Sequence, residues 1–127
     1  MAARSKTVLV VDDDAVFVDA VSAVLETRYR VVSASNGTDA LAAIAARPPD
    51  LVILDVMMDH PSEGFDVARA LHADPATAGI PVVLLTGVDQ VYNYRMETDE
   101  GWVPCARFLE KPITPEQILT HVGSLIG

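Results

Sequence analysis

Residues Lys6–Phe17 read KTVLVVDDDAVF. Thr7–Val11 is an unbroken β-branched and apolar run with no polar alternation, the pattern of a strand buried on both faces. Asp12, Asp13 and Asp14 follow at once. From Ala15 to Thr27, the residues Val16, Phe17, Ala20, Val21, Val24 and Leu25 recur at helical spacing and predict an amphipathic helix with a wide apolar face. A buried strand feeding a helix is the start of a βαβ unit. Three successive carboxylates at its end repel one another, so they need a purpose.

The same alternation runs down the chain. Arg30–Ala34 is a second strand. Asn36-Gly37 signals a turn, and Thr38–Ala46 is an alanine-rich helix expected to face inward through Leu41 and Ile44, stopped by Pro48-Pro49. Leu51–Leu54 is a third strand ending at Asp55. The loop Val56–Gly64 leads to a short helix around Phe65–Ala73, closed by Pro75 and Gly79. Pro81–Leu85 is a fourth strand ending at Thr86, and Ala106–Leu109 a short fifth, followed by Lys111-Pro112. Thr114–Ile126 reads as a last helix, with Thr114 as N-cap, Pro115 at the first helical position and Gln117 at capping-box spacing. Apolar strands alternating with helices predict an α/β fold, a parallel sheet covered on both faces.

Length and composition bound the function. The chain has 127 residues, enough for one domain, taken as residues 1–127 with a core of about 6–126. Its net charge is −9 and its nine basic residues form no cluster, which argues against direct nucleic-acid binding. No apolar run approaches the ~20 residues of a membrane helix, and MAARSK carries no apolar h-region, so no signal peptide is expected. Cys105 is the lone cysteine, which excludes an internal disulfide and fits a cytoplasmic location.

Parallel strands end on one edge, so Asp12, Asp13, Asp14, Asp55, Thr86 and Lys111 converge on one rim. Clustered carboxylates disfavour full ionisation. Oxygen-only ligands favour a hard ion such as Mg²⁺ (or Mn²⁺). An aspartate beside such an ion can act as a nucleophile toward phosphorus, with a lysine and a hydroxyl to meet the phosphoryl oxygens. Capping is the bland account of Asp12 and Asp13, but it leaves Asp55 and Lys111 unexplained. Asp14 fits the N-cap of the first helix.

Four segments in order, VLVVDDD, PDLVILDVMM with a glycine soon after, VVLLTG and FLEKPI, resemble the receiver domain of two-component response regulators over roughly Lys6–Ile126. The resemblance implies a doubly wound, flavodoxin-like sheet of five parallel strands in the order 2-1-3-4-5. It implies Asp55 as phospho-acceptor, Asp13 as direct metal ligand, Asp12 acting through the metal's water, and the backbone carbonyl of Met57 as a further ligand. Thr86 is implied as the phosphoryl-sensing hydroxyl, Lys111 as the ion-pair lysine before a cis peptide to Pro112, and Phe108 as the aromatic switch position, against the plain reading of Phe108 as core. The implied partner is a sensor histidine kinase or a histidine phosphotransfer protein, with a further output partner and a monomer or weak dimer.

Two departures stand out. The loop VMMDHPSEG carries Asp59 where receivers usually have proline, and one residue more before the glycine. Gly87–Cys105, with Tyr92, Tyr94, Met96, Trp102 and Pro104, lacks a clean helical stripe, so the helix between the fourth and fifth strands is expected to be short, displaced or replaced by a loop. Met57 and Val88 offer no side-chain hydrogen bond to an attacking water, which predicts a long-lived phospho-Asp55. His60, His72 and His121 read as surface residues.

Two other functions compete. A phosphohydrolase of the haloacid-dehalogenase type needs a second aspartate two residues after the nucleophile, where Met57 stands. A degenerate receiver would bind partners without phosphorylation.

Overall fold

The computed structural model describes residues 6–55, 63–86 and 106–127. Five parallel strands, β1 (Thr7–Val11), β2 (Arg30–Ala34), β3 (Leu51–Asp55), β4 (Val82–Thr86) and β5 (Arg107–Glu110), form one sheet in the order β2-β1-β3-β4-β5. Helices α1 (Ala15–Leu25), α2 (Gly37–Ala46), α3 (Glu63–Ala73) and the C-terminal helix (Pro115–Ile126) cover it. Order, direction and most element bounds agree with the sequence reading. The expectation that the helix between β4 and β5 is short, displaced or replaced by a loop falls on residues 87–105, outside the described residues.

Side chains alternate across a strand, so each unbroken apolar strand feeds two cores. Leu9, Val11, Val52, Leu54, Val82 and Leu84 meet Ala40 and Ile44 of α2 and Val67 and Leu71 of α3. On the other face Val8, Val10, Leu51, Ile53, Val83 and Leu85 meet Val21 and Leu25 of α1 and Ile118 and Val122 of the C-terminal helix. Each fully buried Val, Leu or Ile contributes roughly 1.5–3 kcal/mol of transfer free energy. The division of helices follows from handedness. Right-handed crossovers put α1, which steps from β1 out to β2, on one face, and put α2 and α3, which step the other way, on the opposite face. The direction of travel therefore reverses between β1 and β3, and a crevice opens there at the strands' carboxyl ends.

The starts of α1 and of the C-terminal helix are built as the sequence reading predicts. Asp14 Oδ1 accepts the N–H groups of Val16 (3.1 Å) and Phe17 (3.2 Å). Thr114 and Gln117 close a reciprocal capping box at 3.1 and 2.9 Å. Asn36 caps α2 through the Asp39 N–H at 2.8 Å.

Three apolar positions differ from the expected faces. Val16 is 79% exposed and Ala20 is also exposed. The buried arc of α1 runs through Phe17, Val18, Val21 and Leu25, and one residue turns a helix by about 100°, which carries Val16 to the far side. Leu41, expected to face inward, is 39% exposed because Ala40 and Ile44 occupy the buried arc of α2. His121 is not a plain surface residue: it is half-buried, and its Nδ1 lies 2.8 Å from the Arg107 guanidinium.

Candidate functional site

The crevice between β1 and β3 gathers the acidic residues. Asp12 follows β1, and its N–H donates to the Ala34 carbonyl at 3.1 Å, extending the pairing with β2. That tether keeps its side chain inside the rim, where it is 3% exposed. Asp55 is the last residue of β3 and equally buried, whereas Asp13 is exposed. Asp12, Asp13 and Asp55 each offer a carboxylate oxygen to one cluster, all within 4.8 Å of one another.

Lys111 enters from beyond β5, at a cis peptide to Pro112 as the resemblance implies. Its Nζ donates to Asp55 Oδ2 at 3.2 Å and lies 3.6 Å from Asp12 Oδ2. Asp12 Oδ1 accepts the Asp14 N–H at 2.9 Å. Asp12 Oδ2 is buried and accepts no hydrogen bond from the described residues. Burial, followed by the nearby Asp55 carboxylate, pushes the Asp12 carboxyl up to about 6. The Asp14 N–H and the Lys111 charge pull it the other way. Burial dominates because one shared ammonium cannot replace the water that two buried carboxylates have lost.

The site is therefore an acidic pocket with a buried oxygen that has no hydrogen-bond partner among the described residues. The donor set fits a hard divalent cation: the clustered ligands are all oxygen, no histidine or cysteine joins them among the described residues, and Asp12 Oδ2 has acceptor capacity to spare.

The remaining predicted positions are placed less completely. Thr86 ends β4 opposite Glu110 of β5, one residue beyond Leu85, which pairs with Asp55. This puts its backbone on the same rim; Met57 lies outside the described residues. Phe108 pairs with Leu84 on β4 and is half-buried against the core shared with α2 and α3. Asp14 is the helix cap, not part of the carboxylate cluster. His60, Val88, Tyr92, Tyr94, Trp102 and Cys105 lie outside the described residues.

One contact escapes the sequence reading. The Phe17 ring centroid lies 4.8 Å from Lys111 Nζ. Helical periodicity assigns Phe17 to the core, and it is half-buried there. The available signal is its place in the first turn of α1, directly above the acidic strand end.

The chain matches the response regulator receiver domain family over residues 8–123. It is 40% identical over 122 residues to response regulator PleD of Caulobacter vibrioides, a match covering 95% of this chain and 26% of PleD. It is 32% identical to Protein PilH of Pseudomonas aeruginosa, covering 94% of this chain and 97% of PilH. The chain thus spans about a quarter of PleD and nearly all of PilH. The chemotaxis response regulator CheY4 of Vibrio cholerae superposes with a TM-score of 0.81 at 25% identity, covering 97% of this chain and all of that one. The acidic crevice, the 2-1-3-4-5 sheet and these likenesses together place the chain in the family of response regulator receiver domains.

Proposed function

We propose that the protein takes a phosphoryl group onto Asp55 from a phosphohistidine, on a sensor histidine kinase or a histidine phosphotransfer protein, in a Mg²⁺-dependent reaction in the cytoplasm. Receiver domains are phospho-acceptors of two-component systems and bind Mg²⁺ at an acidic pocket. The observation that carries the assignment to this residue is the Lys111–Asp55 pair at 3.2 Å beside the buried Asp12 carboxylate.

Asp13 and Asp55 would hold the ion directly, with the Met57 carbonyl, and Asp12 would act through a bound water. When bound, a divalent cation offsets the charge of the carboxylates and of the incoming phosphoryl oxygens. An Asp55 carboxylate oxygen attacks phosphorus. A P–O bond forms, the P–N bond to the donor imidazole breaks, and the imidazole takes up a proton from solvent. Lys111 moves from the Asp55 carboxylate to a phosphoryl oxygen, where its charge meets the negative charge that has arrived. The Thr86 hydroxyl donates to another phosphoryl oxygen, and Phe108 repacks in response. The two arrangements are states whose balance phosphorylation shifts, and an output partner reads that shift.

Incubation with a phosphohistidine donor or acetyl phosphate and Mg²⁺ tests this. Label is expected on the wild type and not on Asp55→Asn. An unlabelled wild type that still binds Mg²⁺ would overturn the assignment in favour of a degenerate receiver that binds its partners without phosphorylation.

A further inference from the structure

We infer that Phe17 is a positioning residue for Lys111, holding its ammonium through the face of an aromatic ring while that ammonium changes oxygen partners. The inference rests on the reading of Asp55 as phospho-acceptor.

Lys111 is a point charge on a flexible four-carbon stem with three donors. Among the described residues its oxygen partners are Asp55 Oδ2 at 3.2 Å and Asp12 Oδ2 at 3.6 Å. Its side chain remains 30% exposed, so these contacts do not enclose it. The Phe17 ring supplies a further contact, 4.8 Å from Nζ to its centroid, within the ~6 Å reach of a cation–π interaction. A ring face attracts the charge without offering a lone pair. It therefore does not compete with oxygen for the N–H bonds, and it can hold the ammonium equally well before and after it leaves the carboxylate.

The ring is itself held by the acidic run. The Phe17 N–H donates to Asp14 Oδ1 at 3.2 Å, and the Asp14 N–H donates to Asp12 Oδ1 at 2.9 Å. Asp12, which lines the pocket, and Asp14, which caps α1, thus also set the register of the ring above it. Phe17 packs against the core on its other side. An aliphatic residue of similar bulk would keep that packing and lose only the ring's attraction for a cation, which makes the two roles separable.

The experiment uses Phe17→Leu, Phe17→Tyr and a graded series of fluorinated phenylalanines at position 17, which keep the shape and weaken the negative ring face. Asp55 labelling by acetyl phosphate is timed at saturating Mg²⁺, alongside melting temperature and the NMR shift of the Lys111 Hε protons. The expected result is an upfield ring-current shift of Hε in the wild type that is lost in Phe17→Leu. Labelling should be about 3- to 10-fold slower in Phe17→Leu, close to wild type in Phe17→Tyr, and progressively slower along the fluorinated series at unchanged melting temperature. Equal rates across that series, or Phe17→Leu at the wild-type rate, would overturn the inference. A wild type whose Hε protons are shifted but whose Asp55 takes no label marks a failure of the acceptor reading instead, and the positioning role falls with it.

Discussion

Lys111 and Asp55 are 56 positions apart in the chain, yet the Lys111 ammonium donates to Asp55 Oδ2 at 3.2 Å. It is shared with the buried Asp12 carboxylate at 3.6 Å. Removing it leaves two buried carboxylates without their cation. Lys111→Met is expected to lower the stability of the metal-free protein by about 1–2 kcal/mol, a figure reduced for the partial exposure of the lysine. It should slow labelling of Asp55 about 100-fold, and Mg²⁺ should bind more tightly because a competing positive charge is gone. Urea unfolding, labelling kinetics and metal titration read the three effects separately.

Asp12 sets a pH dependence. Its carboxyl is raised from 3.8 to about 6, chiefly by burial, so the folded protein binds this proton more readily than the unfolded chain. Stability from this group is present below the unfolded value and is lost as pH rises through about 6. At pH 7.5 the ionised carboxylate destabilises the metal-free protein. Asp12→Asn should then stabilise it by about 1–3 kcal/mol and flatten the slope between pH 4 and 6. In the wild type, Mg²⁺ affinity should fall as pH drops through about 6, because protonating Asp12 removes a negative charge that supports the ion through its bound water. A destabilised Asp12→Asn protein at pH 7.5 would contradict this.

The three consecutive aspartates should separate by substitution. Asp14 caps α1, so Asp14→Ala should cost about 1 kcal/mol of stability and leave Mg²⁺ binding nearly intact. Asp13→Ala should abolish Mg²⁺ binding with little effect on the melt of the metal-free protein, since Asp13 is exposed. Isothermal titration of both variants checks the ranking.

Hydrolysis of phospho-Asp55 should be slow. Met57 and Val88, two residues beyond the acceptor and the threonine, carry no side-chain group to orient a water. The purified phosphoprotein is expected to decay over minutes or longer. Replacement of either by a hydrogen-bonding residue such as asparagine should shorten its life. Decay of the unmodified protein within seconds would contradict the reading.

Much of the architecture was legible because it is written in local patterns. A strand buried on both faces must be apolar at every position, and Val8–Val11 and Leu51–Leu54 are. The capping residues Asp14 and Thr114 are recognisable because a side-chain oxygen must sit at that offset to meet free N–H groups. Periodicity misjudged Val16 and Leu41 because an apolar residue one step off a helix's buried arc looks the same in sequence as one within it.

Local patterns in the chain were enough for the parallel α/β class, for the convergence of Asp12, Asp13, Asp55, Thr86 and Lys111 on one rim, and, through ordered motifs, for the family. These follow from periodicity and from the rule that parallel strands end on a common edge. Which charges touch was settled by packing in three dimensions. Asp12 went inside and Asp13 outside, one lysine came to serve two carboxylates, and the Phe17 ring came to lie over that lysine. Such contacts depend on the backbone tether of Asp12 to Ala34, the entry path of Lys111 and the turn of α1. Electrostatic energy varies with distances of an ångström and with access of water, and neither is encoded at any single position of the chain.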